Sequence, residues 1–260
     1  MQKVTLVKIG GKVLDDAVSL NRVLDSFAKI EGPKILVHGG GKAATEIAAR
    51  LGVEAPMING RRITSEAMLE VAAMVYGGLM SRQLAAGLQK RGLNAAGLTG
   101  ADMDVIRAVK RPVKDIDYGL AGDIVSVNTA RLVWLLDAGI VPILAPLTHD
   151  GLGQLLNTNA DTIAGTVAAS LTKTYEVSLV YAFERPGVLA DHNNDDSVIG
   201  SITRSRFEKY VAEGVIGGGM IPKLENAFQS LEAGVKTVFI CHADAIGEIY
   251  TAEYPGTKIH

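Results

Sequence analysis

Apolar and polar residues follow two periods along the chain, and the switches between them mark out its elements. Residues 4–9 (VTLVKI) are apolar or β-branched except for one cation, Lys8, as a buried strand requires. Residues 14–30 carry apolar side chains at helical spacing (Val18, Val23, Leu24, Phe27), which predicts a helix closed by Gly32 and Pro33. A second buried strand is expected over 34–38, and Gly39, Gly40 and Gly41 then open a helix over 42–51. Strand, helix, strand, glycines and helix in that order imply a parallel sheet.

Residues 56–64 contain Asn59-Gly60, a hairpin-turn signal, with Arg61 and Arg62 on the returning arm. The longest helical pattern covers 65–91, capped by Thr64 or Ser65 and stopped by Gly92. Its broad apolar surface (Met68, Leu69, Val71, Met74, Val75, Leu79, Leu84) suits either the core or a second subunit. Short strands are expected over 95–98, 104–109, 122–127 and 153–156, a buried strand over 140–145, and helices over 128–138 and 159–171. A strand over 177–183 precedes a charged loop over 184–196. Helices over 203–213 and 222–233 lead to a last strand over 236–241, and a short polar remainder follows. No repeat or long linker interrupts the pattern. A lobe boundary is expected inside the helix starting at Asn159, giving an N-terminal lobe of residues 1–165 and a C-terminal lobe of 166–260.

Composition narrows the function. A chain of 260 residues can form one large α/β domain or two lobes. With 26 basic against 28 acidic side chains, net charge −2, no basic surface argues for nucleic acid. The one cysteine, Cys241, excludes an internal disulfide and any multi-cysteine metal site. No apolar run approaches the roughly 20 residues needed to span a bilayer. The first strand begins by residue 4, which predicts no signal or transit segment and a cytoplasmic location.

Four stretches offer chemistry. Gly39-Gly40-Gly41 lies between a strand and a helix, where exposed N–H groups and the helix dipole attract anions. A plain tight turn is the alternative, although three glycines cost more chain entropy than a turn needs. The stretch also reads as GxGxxA, ending at Ala44, but no strand ending in an acid follows at dinucleotide-site spacing. There is no GxxxxGK[ST] loop. Arg62 offers a fork for carboxylate or phosphate, and on local sequence alone reads as a solvated hairpin arginine. Asn157, Asn159 and Asp161 alternate along the chain and would share a face if extended, whereas a helix cap would need only one of them. Lys223, after Gly217-Gly218-Gly219, sits in the first turn of a helix, where the dipole disfavours a cation unless an anion joins it. Lys8 at a strand end, followed by Gly10 and Gly11, completes the set. His38 and His242 read as packed or exposed, not as ligands. Cations and backbone amides without a nucleophile suit phosphoryl transfer, which needs positioning and charge neutralisation.

The segments LVKIGGK, LVHGGGK, NGRRIT, QLLNTNAD and GGGMIPK, in this order, resemble the signatures of the acetylglutamate kinases, a family of the amino acid kinase superfamily. The resemblance runs from Lys3 to about Ala243. It implies an α/β, three-layer αβα sandwich with a mainly parallel central sheet, the amino acid kinase fold. It also implies ATP and Mg²⁺, the metal carried on the nucleotide phosphates, with the γ-carboxylate of an N-acylglutamate as acceptor. By motif, Lys8 and Lys223 would stabilise the transition state and Asp161 would orient them. Gly40, Gly41, Arg62, Asn157 and Asn159 would bind the acceptor. Gly10 and Gly11 would hug the transferring phosphate. Glu184, Arg185, Pro186, Gly187, Val188 and Leu189, with Val215, Ile216 and Gly217, would frame the nucleotide.

Some positions depart from the family pattern. Glu184 stands where the family usually has Asp, and Phe183 and Arg185 are unusual. Lys42 stands where Pro is frequent, and Arg61 adds a second cation beside Arg62. These charges raise N-succinylglutamate as an alternative acceptor, with surface variation as the other explanation. Arginine-inhibited members carry an extra N-terminal helix that builds hexamers, so a homodimer insensitive to arginine is expected, with the helix from Ser65 as its interface. Glutamate 5-kinases, aspartokinases and carbamate kinases share such loops, but the NGRRIT and NTNAD segments argue against them. A dinucleotide-binding oxidoreductase and a non-catalytic nucleotide sensor are the alternatives of other kinds.

Overall fold

The structure, a computed structural model, describes residues 1–260 except Gly11, Asp15 and Asn59, and leaves the side chain of Lys12 undescribed. The expectations for Gly11 and for the Asn59 turn residue therefore lie outside the described residues. In chain order the elements begin β1 (Lys3–Ile9), α1 (Ala17–Ala28), β2 (Lys34–His38), α2 (Gly41–Arg50), β3 (Met57–Ile58), β4 (Arg61–Arg62), α3 (Glu66–Ala72) and α4 (Ser81–Gln89). They continue with β5 (Ala95–Leu98), β6 (Ile106–Lys110), β7 (Gly122–Val127), α5 (Thr129–Asp137), β8 (Val141–Leu144), β9 (Leu147–His149), β10 (Leu155–Asn157) and α6 (Ala160–Leu171). The last are β11 (Glu176–Phe183), β12 (Ser201–Ile202), α7 (Arg204–Ala212), α8 (Met220–Glu232), β13 (Thr237–His242) and β14 (Thr257–Ile259).

Two compact units result. A middle unit holds Ile35–Ile163, and a terminal unit joins Met1–Lys34 to Ala164–His260. The division falls inside α6, but residues 1–34 group with the C-terminal half and not with the N-terminal lobe expected from sequence. The cause is strand pairing: β1 runs parallel to β11 in unbroken register from Lys3↔Glu176 to Ile9↔Ala182.

In the terminal unit the strand order is β12-β14-β13-β11-β1, with β11 parallel to both β1 and β13. Leu6, Ile9, Leu179, Val180 and Ile240 are fully buried, as both faces of a parallel sheet demand. On α1, Val23, Leu24 and Phe27 are buried but Val18 is 65% exposed, contrary to the expected stripe. It lies five residues before Val23, about 140° around the helix. Lys34 caps this helix: buried, its Nζ donates to the carbonyls of Phe27, Ala28 and Ile30, and burial lowers its pKa. The short polar remainder expected after residue 241 is structural. β14 lies antiparallel to β13, Tyr254 Oη donates to Ile240 O at 3.0 Å, and the Tyr254 ring meets Phe239 edge-on at 5.2 Å.

In the middle unit β2, β8 and β5 pair in parallel, and a second sheet runs β10-β9-β6-β7. β9 has no counterpart among the expected strands. Pro146 follows β8 closely, and the chain resumes pairing at once, antiparallel to β10. β6 starts later than expected because Met103 and Asp104 are both left-handed (φ 56°), a conformation that bends the chain before the strand. The long helical pattern over 65–91 is three segments: α3, a π-helical stretch (Ala73–Met80) and α4. Ser65 caps it, its Oγ accepting from Met68 N at 3.2 Å. Met74 and Leu79, 53% and 48% exposed, lie on the π-helical stretch outside the core. Among the described residues no helix is long and apolar enough to cross a membrane.

Candidate active site

The middle unit gathers the acceptor-binding candidates around the glycine turn after β2. Gly40 takes φ 147° and ψ 17°, and a Cβ there would collide with Met80 Sδ and stand 3.1 Å from Tyr76. The π-helical stretch thus presses against the turn, and only glycine fits. Gly41, the first residue of α2, differs: a Cβ there would meet nothing closer than Arg62 Nη2 at 3.6 Å.

Arg62 corrects its local reading. It is not a solvated hairpin arginine but 7% exposed: Nη2 donates to Gly41 O at 2.8 Å and Thr45 Oγ1 at 2.9 Å, and Nη1 to Ala55 O at 3.3 Å. Arg61, on the opposite face of β4, is exposed and lines a cleft with Arg111, Lys114 and Tyr118. Lys42 pairs with Glu46 at 3.9 Å. Asn157 joins the Arg62 arm indirectly: its Nδ2 donates to Thr64 Oγ1 at 2.9 Å, and that hydroxyl donates to Arg62 O at 3.3 Å.

The shared face expected for Asn157, Asn159 and Asp161 does not form. β10 ends at Asn157, and Asn159 instead caps α6, Oδ1 accepting from the N–H groups of Asp161 (2.9 Å) and Thr162 (3.0 Å). Asp161 sits half-buried in the first turn of α6. His38, read as packed or exposed, is packed: it is fully buried, its Nδ1–H donates to Gly39 O at 2.7 Å, and burial pushes its pKa down to about 4. The neutral ring thus braces the first glycine of the turn. No side-chain pattern signals that bond, which runs to a backbone oxygen of the next residue.

The terminal unit gathers the phosphate-side candidates. Lys8 is in register with Tyr181, and Phe183 lies two residues beyond Tyr181, so Lys8, Tyr181 and Phe183 point to one face of the sheet. Lys223, in the first turn of α8, lies with Nζ 4.2 Å from the centroid of the Phe183 ring. Lys8 and the Phe183 ring that Lys223 meets therefore stand at the same end of adjacent strands. Gly10 donates to Ala182 O at 3.0 Å, and a Cβ on it would clear Ala182 O at 3.5 Å and Phe183 Cβ at 3.8 Å. The fold leaves room there that it does not use. A Cβ on Gly217 or Gly219, before α8, would meet nothing within 4 Å, and Gly218 is left-handed (φ 54°).

The nucleotide-loop candidates divide. Glu184 and Arg185 are exposed, with Arg185 Nη1 on Asp195 Oδ1 at 2.6 Å; Pro186 is half-buried. Val188 and Leu189 are buried, and Gly187 is required by packing, since a Cβ would stand 2.7 Å from Thr257 Oγ1. These three build the core under β14, so only their backbone could face a ligand. Ile216 is buried, and Val215 and Gly217 are half-buried.

Fold and sites together define an α/β protein whose parallel strands end in glycine turns and lysines suited to phosphate and carboxylate groups. The chain belongs to the amino acid kinase family, whose model matches residues 3–242. It is 58% identical to the acetylglutamate kinase of Bacteroides thetaiotaomicron over 245 residues, 94% of this chain and 95% of that one. It is 37% identical to the acetylglutamate kinase of Methanopyrus kandleri, over 94% of this chain and 96% of that one. The solved structure of smu.665 from Streptococcus mutans UA159 superposes with TM-score 0.76 at 28% identity, covering 98% of each chain.

Proposed function

We propose that this chain transfers the γ-phosphoryl group of ATP to the γ-carboxylate of N-acetyl-L-glutamate, giving an acyl phosphate and ADP in the second step of arginine biosynthesis. The observation that supports this reading is that Lys8 shares one face at one sheet end with Phe183, whose ring lies 4.2 Å from Lys223 Nζ, beside the room at Gly10. Two anions must approach for this reaction, and fixed ammonium groups offset their repulsion most where charge moves to the leaving oxygen. Lys8 and Lys223 take that part, and the backbone of Gly10 hugs the phosphate. The open glycines before α8 and the exposed residues Glu184 and Arg185 suit the rest of the nucleotide. Mg²⁺ would arrive on the phosphates and share their charge.

Gly40 and Gly41 present N–H groups to the acceptor carboxylate, and Asn159 and Asn157 border it. Arg62, already on Gly41 O, ties the hairpin to the turn and offers its remaining donors to the α-carboxylate. The cations that raised N-succinylglutamate are engaged elsewhere, Lys42 with Glu46 and Arg61 in its own cleft, so acetyl is the acyl group proposed. The same reading includes a cytoplasmic homodimer that uses the exposed Met74 and Leu79 of the helix after Ser65. A hexamer in light scattering would contradict the last point.

The test is ADP release measured with N-acetylglutamate, N-succinylglutamate and free glutamate. N-acetylglutamate should give the highest kcat/KM. A preference for N-succinylglutamate would reassign the acyl group, and release with none of the three would end the reading. ATP analogues should bind and NAD(P)H should not.

A further inference from the structure

We propose that His38 is a positioning residue for the acceptor: its ring latches the Gly39–Gly40 peptide so that the Gly40 N–H stays turned toward the acceptor carboxylate. This rests on the reading of Gly40 as an acceptor-binding group. The His38 Nδ1–H donates to Gly39 O at 2.7 Å. Among the described residues no peptide bond is cis, so the carbonyl and the N–H of one peptide plane point in opposite directions. A bond that holds Gly39 O toward the ring therefore holds the Gly40 N–H away from it.

Packing makes that peptide loose. Met80 and Tyr76 exclude a Cβ at Gly40, which takes φ 147°. With Gly39 before it, the peptide between them has no Cβ on either side to resist rotation. The next two peptides are set differently. Gly40 O accepts from Ala44 N at 3.0 Å, and Gly41 O accepts from Thr45 Oγ1 and Arg62 Nη2, each at 2.8 Å. Helix α2 thus directs the N–H groups of Gly41 and Lys42, whereas the Gly39–Gly40 peptide lies ahead of the helix. All three glycine carbonyls are held by protein donors, and the N–H groups that follow them face the other way, as an anion site requires.

The ring serves that bond better than it serves packing. To donate from Nδ1, the neutral imidazole keeps a bare lone pair on Nε2. His38 is fully buried, and Nε2 has no protein hydrogen-bond partner among the described residues. An apolar side chain would fill the position without that desolvation cost. A histidine there fits a group kept for its hold on Gly39 O.

His38→Asn, His38→Gln and His38→Leu separate the bond from the packing. Asn carries its amide nitrogen where Nδ1 stands, Gln carries its own where Nε2 stands, and Leu has no donor. At neutral pH, kcat, both KM values, the melting temperature and the calorimetric Kd for N-acetylglutamate are measured. His38→Asn should stay within about twofold of wild type in KM, Kd and kcat. His38→Gln and His38→Leu should each raise Kd and KM for N-acetylglutamate about tenfold, while KM for ATP moves less than about twofold. An unchanged Kd in His38→Gln, or equal losses in His38→Asn and His38→Gln, would overturn the proposal. So would a rise in KM for ATP matching that for the acceptor. The Asn and Gln pair answers even if His38→Leu fails to fold. A wild type that does not bind N-acetylglutamate at all would instead overturn the acceptor reading on which the proposal rests.

Discussion

Gly40 and Gly41 are neighbours with different reasons for being glycine. The fold excludes a side chain at Gly40, where Met80 and Tyr76 close in and φ is 147°. At Gly41 the nearest atom to a Cβ would be 3.6 Å away, so packing does not require glycine there. Gly40→Ala should therefore lower the melting temperature as well as activity. Gly41→Ala should unfold like wild type yet lose at least about tenfold in kcat/KM, through KM for the acceptor. Equal stability losses in both variants, measured by thermal unfolding, would show that the turn is glycine-rich for packing alone.

His38 makes a prediction about pH. Its imidazole has a pKa of about 4 in the folded protein and about 6.5 unfolded. Between those values the unfolded chain binds the extra proton, so stability is complete above pH 6.5 and falls as pH drops toward 4. The loss attributable to this ring is roughly 3 kcal/mol. His38→Asn, which keeps a donor for Gly39 O, should show a shallower decline than wild type between pH 6.5 and 4.5 in denaturant melts. Parallel profiles would contradict the buried neutral ring. Neither this ring nor the inward turn of Arg62 is legible in the sequence. Each depends on a backbone oxygen brought near by the fold, Gly39 O and Gly41 O, and a pattern of side chains carries no record of such atoms.

At the scale of elements, the strands and helices were legible where their period was long and clean. β1, β2, β11 and β13 read directly as apolar runs, and the glycine turn after β2 fell where expected. The π-helical stretch was not, because its apolar residues mimic a broader α-helical face; Met74 and Leu79 fit a core stripe by spacing and are exposed. β14 was missed because three residues in a polar tail give no period. Its buried Thr257 explains why the tail matters: Oγ1 accepts from Val188 N at 2.8 Å. Thr257→Val keeps the shape and orphans that N–H, so it should cost about 1–3 kcal/mol in urea melts. A loss under a few tenths would show that water replaces the hydroxyl and that β14 is not what holds the loop.

At the scale of the molecule, a chain with net charge −2 builds its cationic sites from single lysines and an arginine, not from a basic surface. The sequence motifs carried the identity of those residues; the pairing of β1 with β11 explains how Lys8 comes to the same face as Phe183, the residue whose ring Lys223 meets.

The central claim is that these two ammonium groups act on the migrating phosphoryl group. Steady-state kinetics of Lys8→Ala and Lys223→Ala test it most directly. The account predicts kcat lower by roughly two or more orders of magnitude in each, with KM for ATP and N-acetylglutamate within about threefold of wild type. A normal kcat with a large rise in KM would contradict it, leaving both lysines as binding groups and the chemistry to be found elsewhere.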